Sequence, residues 1–145
     1  MDALKMLKDD HDKVKGMLEK LDATTERAEK TRTEMLQTLK AELTVHETIE
    51  EEILYPALKE HAKTKDIALE GYEEHHVVDG IMAELEDTPV DDEAWAAKLT
   101  VMKENLEHHI EEEEDEMFPK ARQVMDEDEL NELGDRMAAR KQELS

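Results

Sequence analysis

The sequence predicts an all-α fold, an up-down-up-down four-helix bundle closed by a short additional C-terminal helix. Apolar residues recur three and four positions apart along most of the chain, the spacing of one buried helix face, and β-type alternation is almost absent. Breakers are few: Gly16, Gly71, Gly80 and Gly134, with Pro56, Pro89 and Pro119. The connections between periodic stretches are short, which makes consecutive helices antiparallel neighbours. At 145 residues the chain is read as one domain, 1–145, with the bundle over about 2–122 and the last helix over about 126–143.

The first helix is expected from about Asp2 to the Asp22–Thr25 region. The second is expected from near Thr31, where Thr31-x-x-Glu34 has the form of a capping box, to about His61. A third runs from about Asp66 to Glu86, and 87–92 (Asp-Thr-Pro-Val-Asp-Asp) is the clearest loop. A fourth helix follows, and Asp126-x-x-Glu129 caps a fifth that ends near Glu143. Pro56 and Pro119 lack an amide donor and crowd the preceding turn, so the second and fourth helices should kink or end there.

Composition narrows the function. Charged residues make up 41% and aromatics 3%, but 38% hydrophobic residues at helical spacing specify helices with one wet face rather than disorder. A formal net charge of -22 repels nucleic acid and anionic membrane surfaces, so neither is an expected partner. With no cysteine, disulfides and thiolate chemistry are excluded, and any metal chemistry must use nitrogen and oxygen. No apolar run approaches a signal-peptide core or a membrane span, which makes the cytoplasm the default location.

The most informative pattern is a repeat. His46-Glu-Thr-Ile-Glu50, ending in Leu54-Tyr-Pro56, recurs as His109-Ile-Glu-Glu-Glu113, ending in Met117-Phe-Pro119. His and Glu four apart share a helix face, where imidazole nitrogen and carboxylate oxygen reach one metal ion together. The repeat extends upstream: Asp10-His11 through Leu21 matches Glu74-His75 through Leu85 at an offset of 64, against 63 for the cassettes. Two similar helical hairpins therefore each offer one His from a first helix and a His-x-x-x-Glu from a second.

The apolar stripes select which residues face inward. His11 interrupts Leu4, Leu7, Val14, Leu18 and Leu21, while His46 and Glu50 continue Leu36, Leu39 and Leu43. His75 lies with Gly71, Val78, Met82 and Leu85, and His109 and Glu113 follow Trp95, Leu99, Met102 and Leu106. This choice favours His75 over His76 and His109 over His108. Two carboxylates buried without Lys or Arg are prohibitively costly, and divalent cations would resolve that cost. The residues alone admit iron, zinc or manganese.

Taken singly, a His on an apolar stripe is more often a hydrogen-bonded core residue than a ligand; all six together reverse that preference. Glu47, Glu51, Glu52, Glu111, Glu112 and Glu114 are assigned to the solvated face, with a few serving as partners for ligand imidazole N–H groups. His61 and His76 are assigned to the surface or a helix end. Trp95 and the nine Met are read as core filler. Tyr55 and Phe118 are assigned to packing, although a tyrosine near a metal can donate protons or electrons.

These residues resemble the hemerythrin-like family with its HHE cation-binding domain, in the order His11, His46 with Glu50, His75, and His109 with Glu113. The resemblance covers about 4–120. It implies the four-helix bundle and a centre of two iron ions with a bridging oxo or hydroxo group, with Glu50 and Glu113 as carboxylate bridges. Gly71 stands where oxygen-carrying members have a fifth His, which leaves an open coordination position or small cavity and puts simple oxygen carriage in doubt. Asp79 and Tyr55 are the candidates to serve there.

The implied function is binding of dioxygen or a related small ligand for sensing, storage or iron homeostasis. The alternative is a di-iron enzyme acting on hydrogen peroxide or nitric oxide, with its catalytic residues unassigned. A third reading is a structural helical protein with incidental zinc binding. Ferritin-like chemistry is disfavoured because only Glu73-x-x-His76 fits its Glu-x-x-His pattern, off the stripe. Oligomeric state is not legible.

Overall fold

The computed structural model describes residues 1–145 and is helical throughout, with no strand. Helix α1 (Ala3–Asp22) starts at Asp2, whose carboxylate accepts hydrogen bonds from the Leu4 and Lys5 amides at 2.7 and 3.4 Å. Helix α2 (Glu29–Ile49) passes through a π-helical turn, Glu50–Leu54, into α3 (Tyr55–Lys59), so three segments form one rod. Helix α4 (Ala62–Glu86) is the next rod. Helix α5 (Glu93–Glu112), a second π turn (Glu113–Met117) and α6 (Phe118–Val124) form the fourth. Helix α7 (Glu127–Leu144) begins at Asp126, which accepts from the Glu129 amide at 2.9 Å.

Two starts differ from expectation. Helix α2 begins at Glu29, so Thr31 lies inside the helix and forms no capping box. Buried Arg32 instead organises this end: it donates to the Thr24 hydroxyl and carbonyl at 3.0 Å and to the Val90 carbonyl, with its guanidinium 4.4 Å from the Trp95 ring centre. Helix α4 begins at Ala62 rather than near Asp66, because the buried Thr64 hydroxyl donates to the Leu58 carbonyl at 2.6 Å and closes the turn.

The two prolines do not end their rods. Each sits at the start of a resumed α-helix directly after a π turn, where the missing amide costs least. The Glu51 carbonyl, which an i→i+5 bond from position 56 would have reached, accepts the Tyr72 hydroxyl at 3.2 Å. The π turn also changes the helix phase. In an α-helix, positions five apart are separated by about 140°, yet Glu50 and Tyr55 both point into the interior, with the phenol oxygen 3.4 Å from the carboxylate.

The apolar core is divided into two clusters. One contains Leu18, Leu39, Trp95, Leu99 and Met102; the other contains Leu4, Leu7, Leu54, Tyr55, Leu58 and Met117. Between them lies a buried polar layer. Helix α7 adds Leu130, Leu133 and Met137 to the second cluster. It is also tied by Arg140 to Glu52 at 2.8 Å and by Lys141 to Asp10 at 2.6 Å.

Gly134 is where α7 approaches the N-terminus. A Cβ added there would stand 1.9 Å from the Met1 carbonyl oxygen and 3.0 Å from the Ala3 nitrogen, whereas at Gly80 it would meet nothing within 4 Å. Gly80→Ala should therefore stabilise by about 0.5–1 kcal/mol through helix propensity. Gly134→Ala should destabilise despite the same gain, because overpacking costs about 1–3 kcal/mol. Calorimetric melting of the two variants should show shifts of opposite sign.

Candidate metal centre

All six residues selected by the stripes meet in the polar layer. His11, His46, Glu50, His75, His109 and Glu113 are each buried, Glu50 at 0% and Glu113 at 1% exposure. They form two groups whose donor atoms lie within 4.8 Å of one another: His11, His46 and Glu113 in one, Glu50, His75 and His109 in the other. Each group takes both imidazoles from one hairpin and its carboxylate from the other.

The carboxylates stand between the groups. Glu50 Oε1 is 2.9 Å from His46 Nε2 and 3.3 Å from His75 Nε2. Glu113 Oε1 is 3.0 Å from His11 Nε2 and 3.4 Å from His109 Nε2. Despite these short distances, His46 Nε2, His109 Nε2 and Glu50 Oε1 have no hydrogen-bond partner. Buried polar atoms this close, yet not aligned as donor and acceptor, are costly, and a cation among them would satisfy them together. The donor set fits a metal ion.

The outer ring nitrogens are organised with equal regularity. Nδ1 of His11 meets Glu114 at 2.8 Å, and that of His75 meets Glu51 at 2.8 Å. Nδ1 of His46 meets Asp10 at 3.1 Å, and that of His109 meets Glu74 at 2.8 Å. Glu51 and Glu114 each follow a cassette Glu, while Asp10 and Glu74 each precede a first-helix His, so the arrangement obeys the repeat. Such partners fix each imidazole with Nδ1–H outward and the Nε2 lone pair inward.

Electrostatics in the layer favour positive charge. Burial opposes the charge on His46, but Glu50 and Asp10 outweigh it and hold the pKa well above the usual value. Burial likewise opposes charge on His75, but the nearby Glu50 carboxylate and the bond to Glu51 raise it to about 9. His109 is raised by Glu113 and Glu74 against burial. Burial pushes Glu50 up, yet His46, the neighbouring Glu113 carboxyl and His75 bring it well below the carboxylate range. For Glu113, burial and the charge of Glu50 prevail and raise it. One buried carboxylate is readily ionised here; ionising the second calls for more positive charge.

Gly71 does not leave the open space expected of it. The Tyr55 ring occupies that space: a Cβ on Gly71 would fall 2.7 Å from Tyr55 Cζ. The Tyr55 hydroxyl donates to Glu113 Oε2 at 2.8 Å and lies 3.4 Å from His75 Nε2, with its ring stacked on His75. Burial and the two carboxylates raise its pKa well above the usual phenol value, so it keeps its proton. Asp79 does not serve the site; it is exposed and faces Glu47.

Free space lies on the other side, in a cavity of about 10 Å³, roughly the room of one water. Its lining consists of repeat-related pairs: His11 with His75, His46 with His109, Val14 with Val78, Leu43 with Leu106, and Glu47 with Ile110. The cavity therefore lies on the pseudo-twofold relation between hairpins, and only the last pair is unlike in polarity. Glu47, expected on the solvated face, is buried; burial and a hydrogen bond with Asp79 raise its carboxyl to about 9. Glu52 and Glu111 are solvent-exposed as expected, and Glu112 is half-buried beside Glu74. His76 and His108 are exposed.

The family model described as the hemerythrin HHE cation binding domain matches residues 2–121. Rv2633c of Mycobacterium tuberculosis strain H37Rv and Mb2666c of Mycobacterium bovis are each 35% identical to this chain over 145 residues, covering 99% of it and 88% of their own length. The crystal structure of a hemerythrin HHE cation binding domain-containing protein, the Rv2633c homolog from Mycobacterium kansasii, superposes with a TM-score of 0.86 at 34% identity. It covers 99% of this chain and 87% of that one.

Two outcomes follow from this geometry. Gly71→Ala should lower stability by about 1–3 kcal/mol through overlap with the Tyr55 ring, and adding Tyr55→Leu should recover part of the loss in thermal melts. For Glu47 the folded pKa lies above the unfolded one, so its contribution is unchanged below about 4.5 and falls as pH rises toward about 9. In chelator-treated protein, Glu47→Gln should match the parent near pH 4 and exceed it by on the order of 1–3 kcal/mol near pH 9, measured by urea unfolding across pH.

Proposed function

The chain belongs to the hemerythrin HHE cation-binding domain family, and from that premise we propose that it is a cytoplasmic non-heme di-iron protein. It binds dioxygen or a related small ligand for sensing, storage or iron homeostasis. In this reading residues 1–145 act as one domain, and the four rods form an up-down-up-down bundle around the centre. His11, His46 and Glu113 hold one iron, and His75, His109 and Glu50 hold the other, with each carboxylate also reaching the neighbouring group.

The observation that carries this reading is the pair of buried two-His, one-Glu groups with unpartnered Nε2 and Oε1 atoms. Nitrogen and oxygen donors without sulfur suit iron. When bound, two irons supply electrons to an oxygen-containing ligand. The chain's own residues do the rest: Glu114, Asp10, Glu51 and Glu74 hold the imidazole tautomers, and Val14, Leu43, Val78, Leu106 and Ile110 keep the adjoining space small and apolar. Only a ligand of a few atoms fits there.

One observation favours the second reading, an enzyme acting on hydrogen peroxide or nitric oxide. The buried Tyr55 hydroxyl, 2.8 Å from Glu113 Oε2, is a hydrogen-bond donor held at the centre rather than at the surface, placed to orient a bound peroxide or nitric oxide.

Elemental analysis of aerobically purified protein should find about two irons per chain, one for each donor group; protein containing only zinc would sink both readings in favour of incidental zinc binding. Oxygen evolution on adding peroxide favours the enzyme, and a reversible spectral change with dioxygen after reduction favours the binder. Glu50→Ala should lower iron content and melting temperature together. Exposed His76→Ala should retain the parent's iron, and iron loss there would mean that the wrong histidine was selected.

A further inference from the structure

The four acids that hold the imidazole Nδ1 atoms are not equivalent. Glu114 has only a distant lysine, Lys8 at 3.8 Å, and that side chain is exposed. Glu51 has no basic partner other than His75, and Glu74 faces the carboxyl of Glu112. Asp10 is the most buried of the four and is held at both oxygens. Its Oδ2 meets His46 Nδ1 at 3.1 Å, while its Oδ1 accepts a hydrogen bond from Lys141 Nζ at 2.6 Å. Lys141 belongs to α7, which lies beyond residues 2–121, the stretch matched by the family domain.

We infer that Lys141 is a positioning residue for the metal centre: through Asp10 it fixes the orientation of His46, so that α7 supports one of the two ion positions and not the other. A charge-assisted bond of this length on one carboxylate oxygen locks the side chain's rotamer, and the other oxygen then aims the imidazole. The repeat-related pair, Glu74 and His109, has no such cation. This inference rests on the proposed two-ion reading.

Neighbouring Arg140 provides the control. It ties the same turn of α7 to Glu52 at 2.8 and 3.3 Å, but Glu52 makes no hydrogen bond or ion pair with any of the six site residues. The experiment titrates chelator-treated full-length protein with Zn²⁺, and separately with Fe²⁺ without oxygen, in a calorimeter. Lys141→Met should weaken one of the two binding steps about tenfold, the lower end of what outer partners contribute, and leave the other unchanged. Lys141→Arg should restore it, and Arg140→Gln should leave both steps intact.

Equal weakening of both steps, the same loss in Arg140→Gln, or no change in Lys141→Met would each overturn the role of Lys141. Failure of the parent protein to bind two ions would instead overturn the reading on which it rests.

Discussion

Two glutamates buried without a lysine or arginine are the constraint on which the rest of this structure depends. Glu50 and Glu113 lie in the interior between two apolar clusters, and no basic side chain other than histidine reaches them. Charges placed so must be compensated nearby, because the medium cannot do it. His46, His75 and His109 answer part of that demand by holding their protons more tightly, and all four imidazoles have the outer nitrogen met by an acid from another helix. The demand thus spreads outward from two carboxylates to four imidazoles to four more acids, within a rod and between rods at the first step and between helices at the second.

The backbone answers the same demand. Each of the two glutamates opens a π turn, and both turns occur at the same place in the repeat. Without the phase change, a residue five positions on would face away; with it, Tyr55 and Phe118 reach the polar layer from below. Both aromatics stack on the first-helix histidine of a hairpin, Phe118 on His11 with ring centres 5.9 Å apart and Tyr55 on His75 at 5.5 Å. The proline that follows each aromatic is tolerated because it enters a helix just restarting.

The all-helical class and the meeting of the six residues were legible because a polar side chain on an apolar stripe stands out at one residue's resolution. The four outer acids were less legible: in a chain with 41 acidic residues, one more Glu next to a ligand carries little information. The usable signal was positional, an acid immediately before each first-helix His and immediately after each cassette Glu. Glu47 was missed because it lies beside the stripe of Leu39, Leu43, His46 and Glu50 rather than on it, and its burial depends on how α2 meets α4. Gly71 was misjudged for a different reason. A missing side chain reads as space, but whether space remains depends on the residue five positions beyond Glu50 that the π turn brings into it, and helical periodicity does not encode a π turn.

The departures from the repeat are more specific than the repeat itself. The counterpart of Gly71 in the first hairpin is Leu7, and the counterpart of Tyr55 in the second cassette is Phe118. A hydroxyl therefore enters the layer from one side only, and only because glycine stands opposite it. Glu47 and Ile110 break the symmetry again at the cavity, and Lys141 breaks it at Asp10. A duplicated hairpin alone would yield two equal groups; here a phenol lies beside His75 and Glu113, and an ammonium from α7, outside the repeat, stands behind His46. Two ions bound there would differ in their surroundings although their direct donors match, and chemistry that treats two metals differently needs such a difference.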